Sequence, residues 1–145
     1  MYKVISIDPG ISKCGIIVAD VKEKKVYEAF VLDSDFLLNY VKRKYKEENS
    51  IQFLIGNGTS SEIHIENLNQ FLPNLIIAAE KNSTFRAKQR YFEIFPLRGF
   101  QYFLPREVFI LNKNLDALAA LIIMEEYFKF KFDMSEKIDT KTWLK

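Results

Sequence analysis

Three carboxylates in this 145-residue chain are placed for shared work: Asp8, Glu80 and Asp116. Asp8 ends a short β-branched run and precedes Pro9-Gly10, a turn-forming pair. Glu80 ends the most apolar strand expected in the chain, residues 75–79. Asp116 opens a final apolar helix, on the face it shares with Ala119, Ala120 and Ile123 at helical spacing. Like charges brought close together repel unless a proton or a cation joins them. A hard divalent cation, Mg2+ or Mn2+, resolves that conflict with oxygen ligands. Two such ions activate a water and stabilise the leaving oxygen of an in-line phosphoryl displacement. No His or Lys base is then required, which suits a chain whose single histidine is His64. Taken one at a time, the three acids have plain structural explanations: a turn residue, a surface residue, a helix-dipole partner. The functional reading rests on the three together.

Hydrophobic spacing gives the elements that must position these acids. Residues 4–8, 14–20 and 26–32 read as strands, with the charged residues 22–25 as the turn between the last two. Asp33 and Ser34 offer N-caps to a helix carrying Leu37, Leu38, Val41 and Tyr45 on one face. A strand at 51–55 closes on Gly56-Asn57-Gly58, and a helix from Thr59 or Ser60 to about residue 71 ends before Pro73. The run 75–79 reads as a strand buried on both faces. A helix begins at Ser83 or Thr84, a Pro- and Phe-rich connection covers 95–113, and residues 115–130 form the last helix. The order βββαβαβα predicts an α/β domain over residues 1–130. Its sheet would be mixed and five-stranded, the first three strands antiparallel, with helices flanking it. Ligand crevices in such sheets lie at the carboxyl ends of the parallel strands, which puts Asp8, Asn57 and Glu80 on one edge. Residues 131–145 have no clear period and read as a C-terminal tail, an arm or a packed segment.

Composition narrows the class. At 48% apolar and 14% aromatic residues, with only 5 Gly and 4 Pro, the chain is neither disordered, collagen-like nor disulfide-framed. Its length suits one domain with a real core. Cys14 has no partner for a disulfide, begins an apolar strand, and is expected to be buried and inert. His64 has no second His or Cys at ligand spacing and is expected to be structural or exposed. The longest apolar run, residues 117–124, is far short of a membrane span, and no secretory pattern opens the sequence. A cytoplasmic protein without a membrane partner is the expectation.

Net charge is only +2, but it is unevenly spread. Residues 81–113 hold seven basic side chains (Lys81, Arg86, Lys88, Arg90, Arg98, Arg106, Lys113) against Glu93 and Glu107. A basic surface starting directly after Glu80 is what a phosphate backbone would need around a metal site. Arg86 and Arg90 are four apart on one helix face. Lys13, Lys81, Arg86, Arg90 and Lys113 are the candidate nucleic-acid contacts. The aromatic residues of this segment are expected mainly in the core.

Four motifs, in order, resemble one family. Asp8-Pro9-Gly10-Ile11-Ser12-Lys13-Cys14-Gly15 is similar to the D-P-G-x-[ST]-x-x-G opening of YqgF-like and RuvC-like nucleases. Gly56-Asn57-Gly58-Thr59 resembles their G-N-G-T turn. Glu80-Lys81-Asn82-Ser83-Thr84-Phe85-Arg86-Ala87 resembles E-[RK]-x-[ST]-T-x-x-A, and Asp116 with Ala119 and Ala120 matches the closing D-x-x-A-A helix. Ala79, Lys113 and Ala117 stand where members often carry further acids, which leaves three carboxylates. The resemblance implies an RNase H-like fold, with Asp8, Glu80 and Asp116 as catalytic, metal-binding acids for Mg2+ or Mn2+. It implies a nuclease, a phosphodiester hydrolase, acting on structured nucleic acid: a precursor rRNA or a branched DNA junction of the Holliday type. A resolvase working on a two-fold junction would be a homodimer; an rRNA-processing nuclease need not be. The alternative is a nucleic-acid-binding module of the same fold without turnover. An actin-like ATPase fragment ranks last, because that fold needs two such domains around ATP.

Overall fold

The computed structural model describes residues 1–80, 83–99, 103, 105, 115–136 and 138, with the backbone alone at 83 and 84. Its described residues form six strands and four α-helices. The strands are β1 (Lys3–Asp8), β2 (Lys13–Asp20), β3 (Lys25–Asp33), β4 (Gln52–Gly56), β5 (Ile76–Ala78) and β6 (Asp133–Met134). The helices are α1 (Leu37–Glu47), α2 (Glu62–Asn69), α3 (Ser83–Ile94) and α4 (Asp116–Phe128). They form one mixed sheet in the order β5-β4-β1-β2-β3-β6. β1, β2 and β3 are antiparallel neighbours; β4 and β5 run parallel to β1, and β6 runs parallel to β3. The α/β class and the antiparallel opening are as the pattern predicts. The sheet has six strands rather than five.

Period-two alternation assigns the two faces. Ile5, Ile7, Cys14, Ile16, Phe53 and Ile55 pack toward α1 and α2 with Leu37, Val41 and Leu68. Val4, Ile17, Ala19, Leu54 and Ala78 pack toward α4 and α3. Burying one such aliphatic side chain contributes about 1.5–3 kcal/mol. A one-residue slip of β1 would send both of its isoleucines to the wrong face, so its register is fixed. Asp8 shares the face of Val4 and Ser6, which is the α4 side. Ser6 Oγ donates to the Ala120 carbonyl at 2.7 Å, joining that face to the helix.

Several boundaries differ from the sequence expectation. β5 is an edge strand, and Ile77 is half exposed, so this run is not buried on both faces. Ile76 and Ala78 face α4, and Leu75 alone packs against the cluster on the opposite face. α2 begins at Glu62 and ends at Asn69, shorter than expected at both ends. A 3-10 turn (Ser34–Phe36) precedes α1, and neither Asp33 nor Phe36 caps a helix with its side chain. α4 ends at Phe128, two residues early, where Lys129 takes a left-handed conformation. After it, Phe132 enters the core and Asp133–Met134 extends the sheet. None of the described helices is long and apolar enough to cross a membrane.

Candidate functional site

The carboxyl ends of β1 and β4 form the floor of the site. Asp8 is the last residue of β1 and faces Gly15 across the β1–β2 ladder. The backbone of Asp116 and Ala117 lies directly on Gly15, so any Cβ there would overlap Asp116. This close approach sets the start of α4 over the end of β1. On the other side, β4 ends at Gly56, and the Glu80 side chain lies against Gly56 and Gly58. A Cβ at Gly56 would occupy the space of the Glu80 carboxylate. Two close approaches thus deliver acids from three separate elements to one strand end.

Asn57 anchors the third acid. Its Oδ1 accepts the backbone N–H of Glu80 at 3.1 Å, and its own N–H donates to the Ala78 carbonyl at 3.0 Å. The sequence pattern puts Asn57 on this edge without assigning it a task. The task follows from an amide's ability to accept through one group while the backbone donates through another.

The electrostatics are those of converged acids. The Asp8 carboxyl is pushed up to about 8, first by burial, then by the charge and hydrogen-bonding contact of Glu80, with Asp116 adding to it. Glu80 Oε1 is buried and has no hydrogen-bond partner. A proton on Asp8 gives the Glu80 carboxylate a donor; a cation between them would do the same work without the proton. Asp8 and Glu80 are therefore in contact, and Asp116 acts on Asp8 through space. Among the described residues no group of three His, Cys, Asp or Glu side chains has the spacing of a formed metal centre. The donor set suits a hard cation nevertheless: all-oxygen, with an orphaned buried carboxylate oxygen at its centre.

Behind the acids, the turn after β1 is held by side chains. The Gly10 carbonyl accepts from Ser34 Oγ at 2.8 Å and from His64 Nε2 at 3.1 Å. Ser34 N–H donates to the Ser12 carbonyl at 2.9 Å. Cys14 is fully buried, 3.4 Å from Ser34 Oγ, and burial raises its thiol pKa. The expected structural role of His64 thus takes a definite form, a bond to the turn beside Asp8.

The candidate phosphate contacts are scattered. Lys13 is exposed at the start of β2, on the same face as Gly15 and hence on the side of Asp8. Arg90 points inward: its guanidinium donates to Glu125 at 2.9 Å, Glu93 at 3.0 Å and the Phe132 carbonyl at 2.8 Å, and its side chain is 12% exposed. Arg86 is more open and pairs with Glu126. Glu125 and Glu126 lie roughly 14 Å along α4 from Asp116, at ~1.5 Å per residue. The α3 arginines are thus held well down α4 from the acids. Lys81 and Lys113 lie outside the described residues, as do the side chains of Ser83 and Thr84.

No family model matches the chain, and no curated protein matches it.

Proposed function

We propose that the chain is a divalent-metal-dependent endonuclease of RNase H-like fold, similar to the YqgF-like and RuvC-like nucleases, acting on structured nucleic acid. The observation that carries this reading is the meeting of Asp8 and Glu80, under the field of Asp116, at the carboxyl ends of two parallel strands. The strand order β5-β4-β1-β2-β3, antiparallel on one side of β1 and parallel on the other, supports the fold assignment. Bound Mg2+ or Mn2+ would supply a Lewis acid that polarises a phosphoryl oxygen and makes a bound water more acidic. Asp8 and Glu80 would hold the cation, and Asp116 would add charge from the helix start. Asn57 keeps Glu80 in place through its backbone N–H. Lys13, exposed on the same face, would neutralise a phosphate next to the scissile one. Arg90 is assigned to the core and not to the substrate, because both terminal guanidinium nitrogens are already engaged and its Nε is buried.

The test is cleavage of a four-way DNA junction and a structured precursor RNA, side by side, with Mn2+ or Mg2+. Asp8→Asn accompanies the wild type to exclude a contaminating nuclease. Cleavage of either substrate that is lost in the variant and in EDTA supports the enzyme and chooses its substrate. Binding of both substrates without cleavage makes the protein a nucleic-acid-binding module. Neither binding nor cleavage removes the nucleic-acid reading.

A further inference from the structure

We propose that His64 is a positioning residue for the acid pair, acting through the carbonyl of Gly10; the proposal rests on the metal-site reading above. Gly10 lies two residues beyond Asp8, and its carbonyl can only accept, so the Nε2 that approaches it to 3.1 Å carries the proton. Ser34 Oγ donates to the same oxygen from the junction between β3 and α1. The turn that ends β1 is thereby pinned from two directions.

The importance of the second bond comes from what else α2 holds. Just ahead of α2, Ser61 is buried, and both its N–H and its Oγ donate to the Gly58 carbonyl, at 3.1 and 2.6 Å. Gly58 is one of the two glycines against which the Glu80 carboxylate rests. Ser61 and His64 are three residues apart, about one turn of helix. One end of that short span grips the loop beneath Glu80 and the other grips the turn beside Asp8. The distance between the two carboxylates is therefore set through α2, and His64 is the link on the Asp8 side. Without its donor the Gly10 carbonyl keeps Ser34, so the fold survives while the turn loses its tie to the Glu80 loop. Residues of this kind, which orient ligands without touching the ion, commonly change metal affinity by tenfold or more.

The experiment compares wild type with His64→Gln, His64→Phe and His64→Ala. Free Mn2+ is followed by electron paramagnetic resonance, kcat and KM by junction or RNA cleavage, and hydrogen exchange at the Gly10–Lys13 amides without metal. Gln keeps an N–H donor, whereas Phe keeps the ring volume and loses the donor. Phe and Ala are expected to bind Mn2+ about tenfold more weakly and to lower kcat at unchanged KM, with faster exchange in the turn. Gln is expected to restore all three. Wild-type Mn2+ affinity and kcat in the Phe variant would overturn the proposal, as would a Gln variant that falls as far as Phe. If the wild type itself takes up no Mn2+ and Asp8→Asn cleaves normally, the metal-site reading fails and this proposal falls with it. That result is distinct from a wild type that binds Mn2+ and variants that match it.

Discussion

Gly15 has no room for a side chain because the backbone of Asp116 fills the place where its Cβ would stand. The obstacle is a helix main chain, which cannot swing aside as a side chain would. Gly15→Ala is expected to cost about 1–3 kcal/mol of stability, as overpacking does, and to lift the start of α4 off the sheet. At Gly56 the neighbour is instead the flexible Glu80 side chain. Gly56→Ala is expected to change stability by less than Gly15→Ala, yet to weaken Mn2+ binding by displacing the carboxylate. Urea unfolding and Mn2+ titration of both variants check the contrast. Equal stability losses would mean that Glu80 is as immovable as the helix.

The raised pKa of Asp8 gives the metal-free protein a characteristic pH dependence. Folding lifts this carboxyl from 3.8 to about 8, with burial the first cause and Glu80 the second. The folded state therefore binds more protons than the unfolded state between those values, and stability falls as pH rises. The contribution is fully present below the unfolded value and is lost as pH climbs through about 8. Asp20, Glu48 and Glu93 are shifted down, so what they contribute is lost on acidification and not as pH rises. In EDTA, the urea midpoint of the wild type is expected to drop between about pH 5 and about pH 9, and that of Asp8→Asn to drop less. Excess Mg2+ at the higher pH is expected to restore the wild type only. Parallel pH profiles for the two proteins would show that Asp8 ionises freely.

Much of this arrangement was legible in the sequence, and the omissions have physical reasons. Asp8 and Glu80 could be placed because each follows an apolar run, and strand ends of an α/β sheet face one edge. Gly15 closes the first motif, but its reason is not legible there, because a glycine needed for a helix crossing looks like any glycine in a strand. The bonds from Ser34 and His64 to Gly10 join residues 24 and 54 positions apart, and no local pattern records them. The run 75–79 reads as doubly buried because composition cannot distinguish a central strand from an edge strand. β6 was missed since two residues carry no alternation.

The two arginines of α3 are expected to behave oppositely. Arg90 neutralises Glu125, whose side chain is only 6% exposed and which also accepts the Phe132 N–H at 2.9 Å. Arg90→Ala strands that carboxylate in the core and is expected to cost about 3–5 kcal/mol. Arg86 and Glu126 are both close to half exposed, and Arg86→Ala is expected to cost under about 1 kcal/mol. If Arg86 also meets phosphate, its loss lowers the salt slope of nucleic-acid binding by about one unit. Chemical denaturation and binding at several salt concentrations separate the two roles. An Arg90→Ala protein of undiminished stability but weakened binding would return Arg90 to the substrate surface.

Phe132 ties the segment after α4 to the sheet at the edge away from the acids. Its ring is 1% exposed, 4.9 Å from Phe130 and 6.2 Å from Phe128 between centroids. Its N–H and carbonyl are held by Glu125 and Arg90, and the next residues continue as β6 through Asp133 N–H to Lys24 and Ser135 N–H to Val26. Phe132→Ala removes the ring that lets this strand dock, and is expected to cost about 3–5 kcal/mol. β6 pairs with the first residues of β3, whereas Asp8 lies three strands from β6 and at the opposite strand end. Mn2+ affinity of the folded variant is therefore expected to match the wild type, while the amides of Asp133 and Ser135 exchange faster. Hydrogen exchange and Mn2+ titration on the same sample check this. A joint loss of strand protection and metal affinity would mean that the two ends of the sheet do not yield independently.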